Sequence, residues 1–473
     1  MRLLIVAATI SALGAGVAGR TVAQKPLDGR WQGAILVLGS RLDIAVVFAT
    51  GDTGLSATID IPAQGAIGLA LTDVSFDPPT VHFELPAGPG LAVFDGELEG
   101  DSIAGSFTQA GVEGTFWLER GQPVAEVVEP VEPPPYVEQE VRFTNGDVTL
   151  AGTLTLPEGK GPFPAVVLLT GSGAQNRDEE IFGFKPFRII ADHLTRAGVA
   201  VLRYDDRGVG GSSGSVREAT SNDFAGDALQ AAEFLGARPE IDSRAIGLLG
   251  HSEGAIVAAL AAARSRAVAF VVLLAGTAVS GEEILLAQGE LIARAGGATE
   301  EQIAENAALQ RRIFQAVRSD SGWEEVEREI AAQVRAGIER LPEEQRRQIA
   351  NIDTLVATSV RGELDRVRTR WFKFFLDYDP AEALSQIRVP VLAVFAENDL
   401  QVPPALNGEP MERALVAAGN GDYTIEIIPG ANHLFLASET GNPAEYPTLE
   451  KRFVPGLLEM VTQWITERWG NAP

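Results

Sequence analysis

The sequence predicts an α/β domain built on a mostly parallel sheet and preceded by a small all-β sandwich or barrel. Three observations carry that expectation. Short apolar runs broken by Gly, Asp and Pro fill residues 27–120, a Pro/Glu-rich stretch (VAEVVEPVEPPPY) follows at 124–136, and beyond it apolar runs alternate with helix-length segments. Closely spaced short strands with turn residues between them form antiparallel sheets, whereas alternating strand and helix units form parallel sheets covered by helices. Proline with glutamate favours an extended spacer, which sets a linker at 122–137 between a β-rich domain (25–121) and an α/β domain (138–473).

In the first domain the runs AILVL (34–38), IAVVF (44–48), VHFEL (81–85) and TFWL (115–118) read as strands. The opening GRW at 29–31 resembles the first-strand start of lipocalin-like barrels. His82 is read as a strand-face residue, because no second ligand type is grouped with it in the sequence. In the second domain a leading hairpin is expected at 141–143 and 149–156. Buried strands are expected at 165–169, 199–204, 246–250, 271–274 and 391–395. Helices are expected at 189–197 (stopped by Gly198), 224–235 and 255–263. The Glu-, Gln- and Arg-rich segment 281–384 has apolar residues three and four apart, as in a helical insertion, and gives a cap at about 278–386.

Composition narrows the chemistry. The 473 residues include 64 acids against 38 bases, a net charge of −26. Such a balance disfavours nucleic-acid or anionic-membrane partners, which need clustered Lys and Arg. With no cysteine, disulfides, thiolate metal sites and a Cys nucleophile are excluded. Only four histidines are present, so a His-rich metal centre is not expected, and neither is a cofactor. Met1-Arg2, an apolar run to Ala18 and small residues to Ala23 form a secretory signal pattern. That run is shorter than the roughly 20 residues of a membrane span. Residues 1–23 are therefore read as a cleaved signal, and the mature protein as periplasmic or secreted without stable membrane insertion.

Gly250-His251-Ser252-Glu253-Gly254 lies between an expected strand and an expected helix, the setting of a G-x-S-x-G nucleophile elbow. Its physics is steric: serine occupies a sharp turn, and glycine two residues before and after relieves the crowding. A serine hydroxyl needs a base. His251 adjoins the serine and is read as structural, while His193 falls within a helix. His433, in PGANHLF on the loop after the strand at 423–428, remains as the base. A carboxylate must orient that base; the strand ending AVFAEND offers Asp399, with Glu397 as the alternative. The chain order Ser252, Asp399, His433 is that of an α/β-hydrolase sheet. Oxyanion donors are expected from the backbone N–H of Glu253 and from the loop TGSGA at 170–174, at Ser172 or the adjacent Gly173.

These residues, with GSGAQNRD at 171–178 and RYDDRG at 203–208, resemble bacterial α/β-hydrolase esterases over residues 141–469. The resembling group includes proteins of serine aminopeptidase-like and prolyl-oligopeptidase-like type. The resemblance implies an α/β-hydrolase fold with a helical cap, and it implies that Asp206-Arg207-Gly208 is a structural turn. Many of these proteins carry His before the oxyanion glycine, where this chain has Thr170. The expected activity is hydrolysis of a small-molecule carboxylic ester through an acyl-enzyme on Ser252. A peptidase using the same triad, or a non-catalytic envelope binding protein, are the alternatives. The β-rich domain is the expected surface for any self-association.

Overall fold

A computed structural model describes residues 27–51, 54–61, 66–86, 90–121 and 134–470. The expected signal segment and most of the expected linker lie outside the described residues. Among the described residues, no helix is long and apolar enough to cross a membrane.

The first nine strands form one antiparallel sheet. They are β1 (Gly29–Val37), β2 (Ser40–Gly51), β3 (Gly54–Ile61), β4 (Ala66–Ala70), β5 (Thr72–Asp77), β6 (Thr80–Leu85), β7 (Ala92–Glu99), β8 (Ser102–Gln109) and β9 (Val112–Arg120). Each pairs with the next except β4 with β5, and β9 returns to pair with β1. The two free edges, β4 and β5, are joined through the single residue Leu71, whose N–H donates to Ala57 of β3. The sheet therefore curls into a near-closed barrel, one of the two all-β forms expected. Strict alternation fills its interior: Val81, Phe83 and Leu85 point inward on β6 and Phe94 on β7. Phe83 stacks on Phe94 with centroids 4.6 Å apart, and Phe116 meets both edge-on. Such pairs add about 0.5–1.5 kcal/mol beyond burial. Trp31 is fully buried, and its indole N–H donates to the Leu27 carbonyl at 2.8 Å.

The second sheet comprises β10 (Tyr136–Asn145), β11 (Val148–Pro157), β12 (Phe163–Leu169), β13 (Ala200–Tyr204), β14 (Ile241–His251), β15 (Phe270–Leu274), β16 (Val391–Ala396) and β17 (Tyr423–Ile428). Their order is β10-β11-β13-β12-β14-β15-β16-β17, and every pair from β13 onward is parallel. Helices α1 (Pro186–Arg196), α2 (Ser221–Gly236) and α3 (Glu253–Arg264) connect the early strands. Between β15 and β16 the cap contributes α4 (Gly281–Ala295), α5 (Glu300–Ser319), α6 (Trp323–Arg340), α7 (Glu343–Arg347), α8 (Ile352–Val367), α9 (Arg370–Asp377) and α10 (Pro380–Leu384). Then α11 (Pro404–Ala417) and α12 (Leu457–Trp469) complete the chain.

Because strand side chains alternate, Val166 and Leu168 of β12 pack under α1 and α12, while Val167 and Leu169 pack under α2 and α3. Both faces are covered, which explains the unbroken apolar runs. The cap has its own core around Phe314, Ile330, Val367 and Phe372. The barrel rests on this cap: Glu113 N–H donates to the Gln348 carbonyl at 2.7 Å, Asn351 N–H to the Gly111 carbonyl at 3.0 Å, and Leu38 packs with Ile349 and Val356. That docking is not expected from the sequence, since both contact surfaces are hairpin tips and helix ends with ordinary polar composition.

Candidate active site

Strands β12 and β14 run side by side, Leu169 paired with Gly250, so the loops leaving their carboxyl ends emerge together. Strand order reverses here, with β13 on one side of β12 and β14 on the other. Open α/β sheets bind ligands in the crevice at such a reversal.

Ser252 caps α3 with φ 55° and ψ −116°. A non-glycine residue in such a sparsely populated region costs on the order of 1–3 kcal/mol and persists only where its surroundings enforce it. The flanking glycines are required for space: a Cβ on Gly250 would lie 2.0 Å from the Gly254 carbonyl oxygen, and one on Gly254 would lie 2.0 Å from that of Leu169. Ser252 lines a cavity of about 590 Å³ together with Phe224, Ile256, Leu285, Trp371 and Phe375. Its hydroxyl has no hydrogen-bond partner among the described residues.

His433 Nδ1 lies 2.7 Å from Asp399 Oδ2, and both residues are buried. The other Asp399 oxygen accepts the N–H groups of Gln401 and Val402 at 2.7 and 2.8 Å, which holds the carboxylate rigidly. Glu397, the alternative, instead accepts the Gly430 N–H at 2.8 Å and shapes the loop that leads to His433. His251, adjoining the serine, has both ring nitrogens engaged: Nδ1 with Glu179 Oε1 and Nε2 with the His433 carbonyl, each at 2.9 Å. A carbonyl only accepts, so Nε2 carries a proton toward the His433 oxygen. Burial alone would lower its pKa, but the Glu179 carboxylate, the His433 carbonyl and the Asp399 charge together outweigh burial and raise it. The structure thus joins His433 to Asp399 and ties the His433 loop to the residue before Ser252. Between His433 and Ser252 themselves no hydrogen bond is closed. In unliganded sites such bonds are commonly long and tighten with substrate.

The two expected oxyanion donors, Ser172 and Glu253, line the same cavity as Ser252. Among the described residues neither of their N–H groups has a partner. Gly171 N–H, by contrast, donates to Glu179 Oε1 at 2.6 Å. The Glu253 carboxyl is buried and accepts from Ser221 Oγ and Trp371 Nε1, both at 2.6 Å. Burial pushes its pKa up, and these two donors oppose the rise. The cap is thereby bonded to the residue after the serine.

The two stretches GSGAQNRD and RYDDRG face each other. Arg177 forks onto Asp205, Arg203 pairs with Asp178, and Arg207 forks onto Asp227 of α2. Asp206 accepts from the Thr170 hydroxyl and the Gln175 N–H, both at 2.9 Å, and so clasps both ends of the loop expected to supply an oxyanion donor. Sequence reasoning missed Glu179 and Asp206 as organisers of this loop. The signal available for Asp206 was its place in the same stretch as Asp205 and Arg207, but an acid after a strand is ordinary there.

Burial pushes the Asp206 carboxyl up to about 8, with the charges of Glu253 and Glu179 adding to the rise against its two hydrogen bonds. A folded pKa above the unfolded value of 3.8 means that the folded state binds the extra proton. Its stabilisation is complete below pH 3.8 and is lost as pH rises through about 8. Asp206→Asn, a mimic of the protonated acid, is expected to become more stable relative to the parent by on the order of a few kcal/mol between pH 5 and pH 8. Urea unfolding of both proteins at the two pH values measures this; a constant difference would show that Asp206 is ionised throughout.

The sequence model described as the alpha/beta hydrolase family matches residues 166–446. Esterase EstD of Thermotoga maritima is 26% identical over 360 residues, covering 75% of this chain and 74% of that protein. Among solved structures, the alpha/beta hydrolase GrgF from Penicillium sp. sh18 is 18% identical, covers 71% of this chain and 100% of its own, and has a TM-score of 0.44. An esterase of Pyrococcus furiosus is 17% identical over 71% of this chain and 92% of its own, with a TM-score of 0.41.

Proposed function

Because the chain belongs to the alpha/beta hydrolase family, we propose that it is a serine hydrolase that cleaves carboxylic esters through an acyl-enzyme formed on Ser252. The observation that carries this reading is the Asp399–His433 pair, bonded at 2.7 Å and tethered through His251 beside a serine held at φ 55°. In the first step His433 takes the Ser252 proton as the hydroxyl oxygen attacks the ester carbonyl, and Asp399 stabilises the imidazolium. The N–H groups of Ser172 and Glu253 receive the oxyanion; one such donor is worth about 10²–10³ in kcat. His433 then protonates the departing alkoxide. Water attacks the acyl group, giving its proton to His433, and the acid leaves as Ser252 regains a proton.

The esterase named among the relatives and the apolar side chains lining the cavity support an ester rather than an amide. A peptidase reading has one observation in its favour: Asp365, an exposed carboxylate on the same cavity, could hold a substrate ammonium. Hydrolysis of p-nitrophenyl butyrate is expected to exceed that of an aminoacyl p-nitroanilide by at least about 100-fold in kcat/KM. The reverse preference would make this a peptidase. Failure to cleave either substrate or to react with a fluorophosphonate would favour a non-catalytic binding protein.

A further inference from the structure

The outer face of the barrel gathers a group that the linear sequence hides. His82 and Glu84 sit two apart on β6 and share its outward face, while Val81, Phe83 and Leu85 point inward. Asp95 of β7 lies directly opposite His82 in the ladder. On the other side, β5 pairs with β6 through a register shift between Thr72 and Ser75. The extra residue in that shift is where Asp73 sits, with φ 46°, and bulges of this kind re-aim side chains. The result is His82 enclosed by three carboxylates from three strands. This departs from the reading of His82 as an isolated strand-face residue, because register and a bulge bring its neighbours from 9 and 13 positions away in the chain.

The geometry is that of a ligand set. Asp95 Oδ1 lies 2.7 Å from His82 Nδ1; in the neutral ring that donates Nδ1–H to this carboxylate, Nε2 carries the lone pair that a cation would take. That nitrogen is 3.6 Å from Asp73 Oδ2 and 3.9 Å from Glu84 Oε1. The three ligand atoms all lie within 4.8 Å of one another. An ion bound at about 2.0–2.2 Å to each would hold its ligands roughly 3.3 Å apart, so the two oxygens must close by roughly half an ångström on Nε2 and by up to about 1.5 Å on each other. Asp73 is 72% exposed and can supply that movement. Charge gives an independent reason: among the described residues, no Lys or Arg forms a salt bridge with Asp73, Glu84 or Asp95, and His82 is their partner.

We propose that Asp73, His82 and Glu84 form a divalent-cation site on the barrel surface, with Asp95 orienting the imidazole from behind. One imidazole with two carboxylates suits a borderline cation of the zinc type, and a carboxylate behind a ligating histidine is its usual support. The three protein ligands leave a fourth position to water, and the site is separate from the Ser252 cavity.

The test is calorimetric titration of ZnCl2 into the tag-free full chain stripped of metal, alongside His82→Ala, Glu84→Gln and Asp95→Asn. All four side chains are surface residues, so folding should be retained, and thermal unfolding without zinc checks that. The wild type is expected to bind one equivalent more than His82→Ala, and zinc should raise its Tm but not that of His82→Ala. Glu84→Gln should weaken this equivalent by at least tenfold, and Asp95→Asn by about 10–100-fold. Equal stoichiometry and affinity in wild type and His82→Ala would overturn the proposal and leave His82 as the centre of a surface ion-pair cluster. Zinc taken up at His433 would appear equally in both proteins and as inhibition of hydrolysis. Ester hydrolysis without zinc should be the same in His82→Ala as in wild type, so the outcome is independent of the serine hydrolase reading.

Discussion

Ser252→Ala is expected to lower kcat for p-nitrophenyl butyrate by about 10⁴-fold or more, with Tm nearly unchanged. In the proposed mechanism that oxygen forms the acyl bond, so removing it leaves no alternative path through the same intermediate. Stability should hardly respond. The hydroxyl has no hydrogen-bond partner among the described residues, so no buried acceptor is orphaned. Alanine meets the same penalty at φ 55° as serine does, because the clash lies at Cβ. Initial rates, thermal unfolding and fluorophosphonate labelling should be measured together. Loss of labelling with an unchanged Tm is the expected result. A variant that keeps more than about 1% of parental kcat would remove Ser252 from the mechanism.

Asp399→Asn is expected to reduce kcat by about 10³–10⁴-fold while preserving the local geometry. One asparagine oxygen can still accept from the Gln401 and Val402 N–H groups, which meet Asp399 Oδ1 at 2.7 and 2.8 Å. The amide nitrogen then takes the place of Oδ2, facing His433 Nδ1 at 2.7 Å. A donor facing a donor is repulsive, so the ring changes tautomer and places its proton on Nε2, where the base must accept one. The defect should therefore fall on kcat with KM little altered. Glu397→Gln is the control, since Glu397 bonds Gly430 N–H rather than the imidazole. A tenfold or smaller loss for Asp399→Asn, or a larger loss for Glu397→Gln, would exchange their roles.

What was legible in the sequence followed from local causes. The elbow could be read because its steric demand falls on Gly250 and Gly254, two residues either side of Ser252, and a Cβ at either place would strike backbone at 2.0 Å. The strands could be read because a sheet covered on both faces needs unbroken apolar runs, as in β12 and β16. Scarcity of histidine left His433 as the candidate base by elimination, an argument of composition rather than of geometry.

Other features depend on which loop closes against which, and no local pattern encodes that. Glu397 and Asp399 both follow the end of β16, and only the path of the loop returning from β17 puts His433 Nδ1 against Asp399 and Gly430 against Glu397. Glu179 reads as one more acid in a polar stretch until the fold brings Gly171 and His251 to the same oxygen. Asp206 acquires its role from Thr170 and Gln175 on a neighbouring loop, and its raised pKa from the burial that this packing creates. The barrel's seat on the cap and the carboxylates around His82 arise in the same way, from hairpin tips and strand register. By itself the sequence determined the elements and the serine's strained turn, because sterics and burial act over a few neighbouring residues. Tertiary structure alone decided which polar groups meet, because a hydrogen bond or ion pair between distant segments depends on distance in space and is indifferent to distance along the chain.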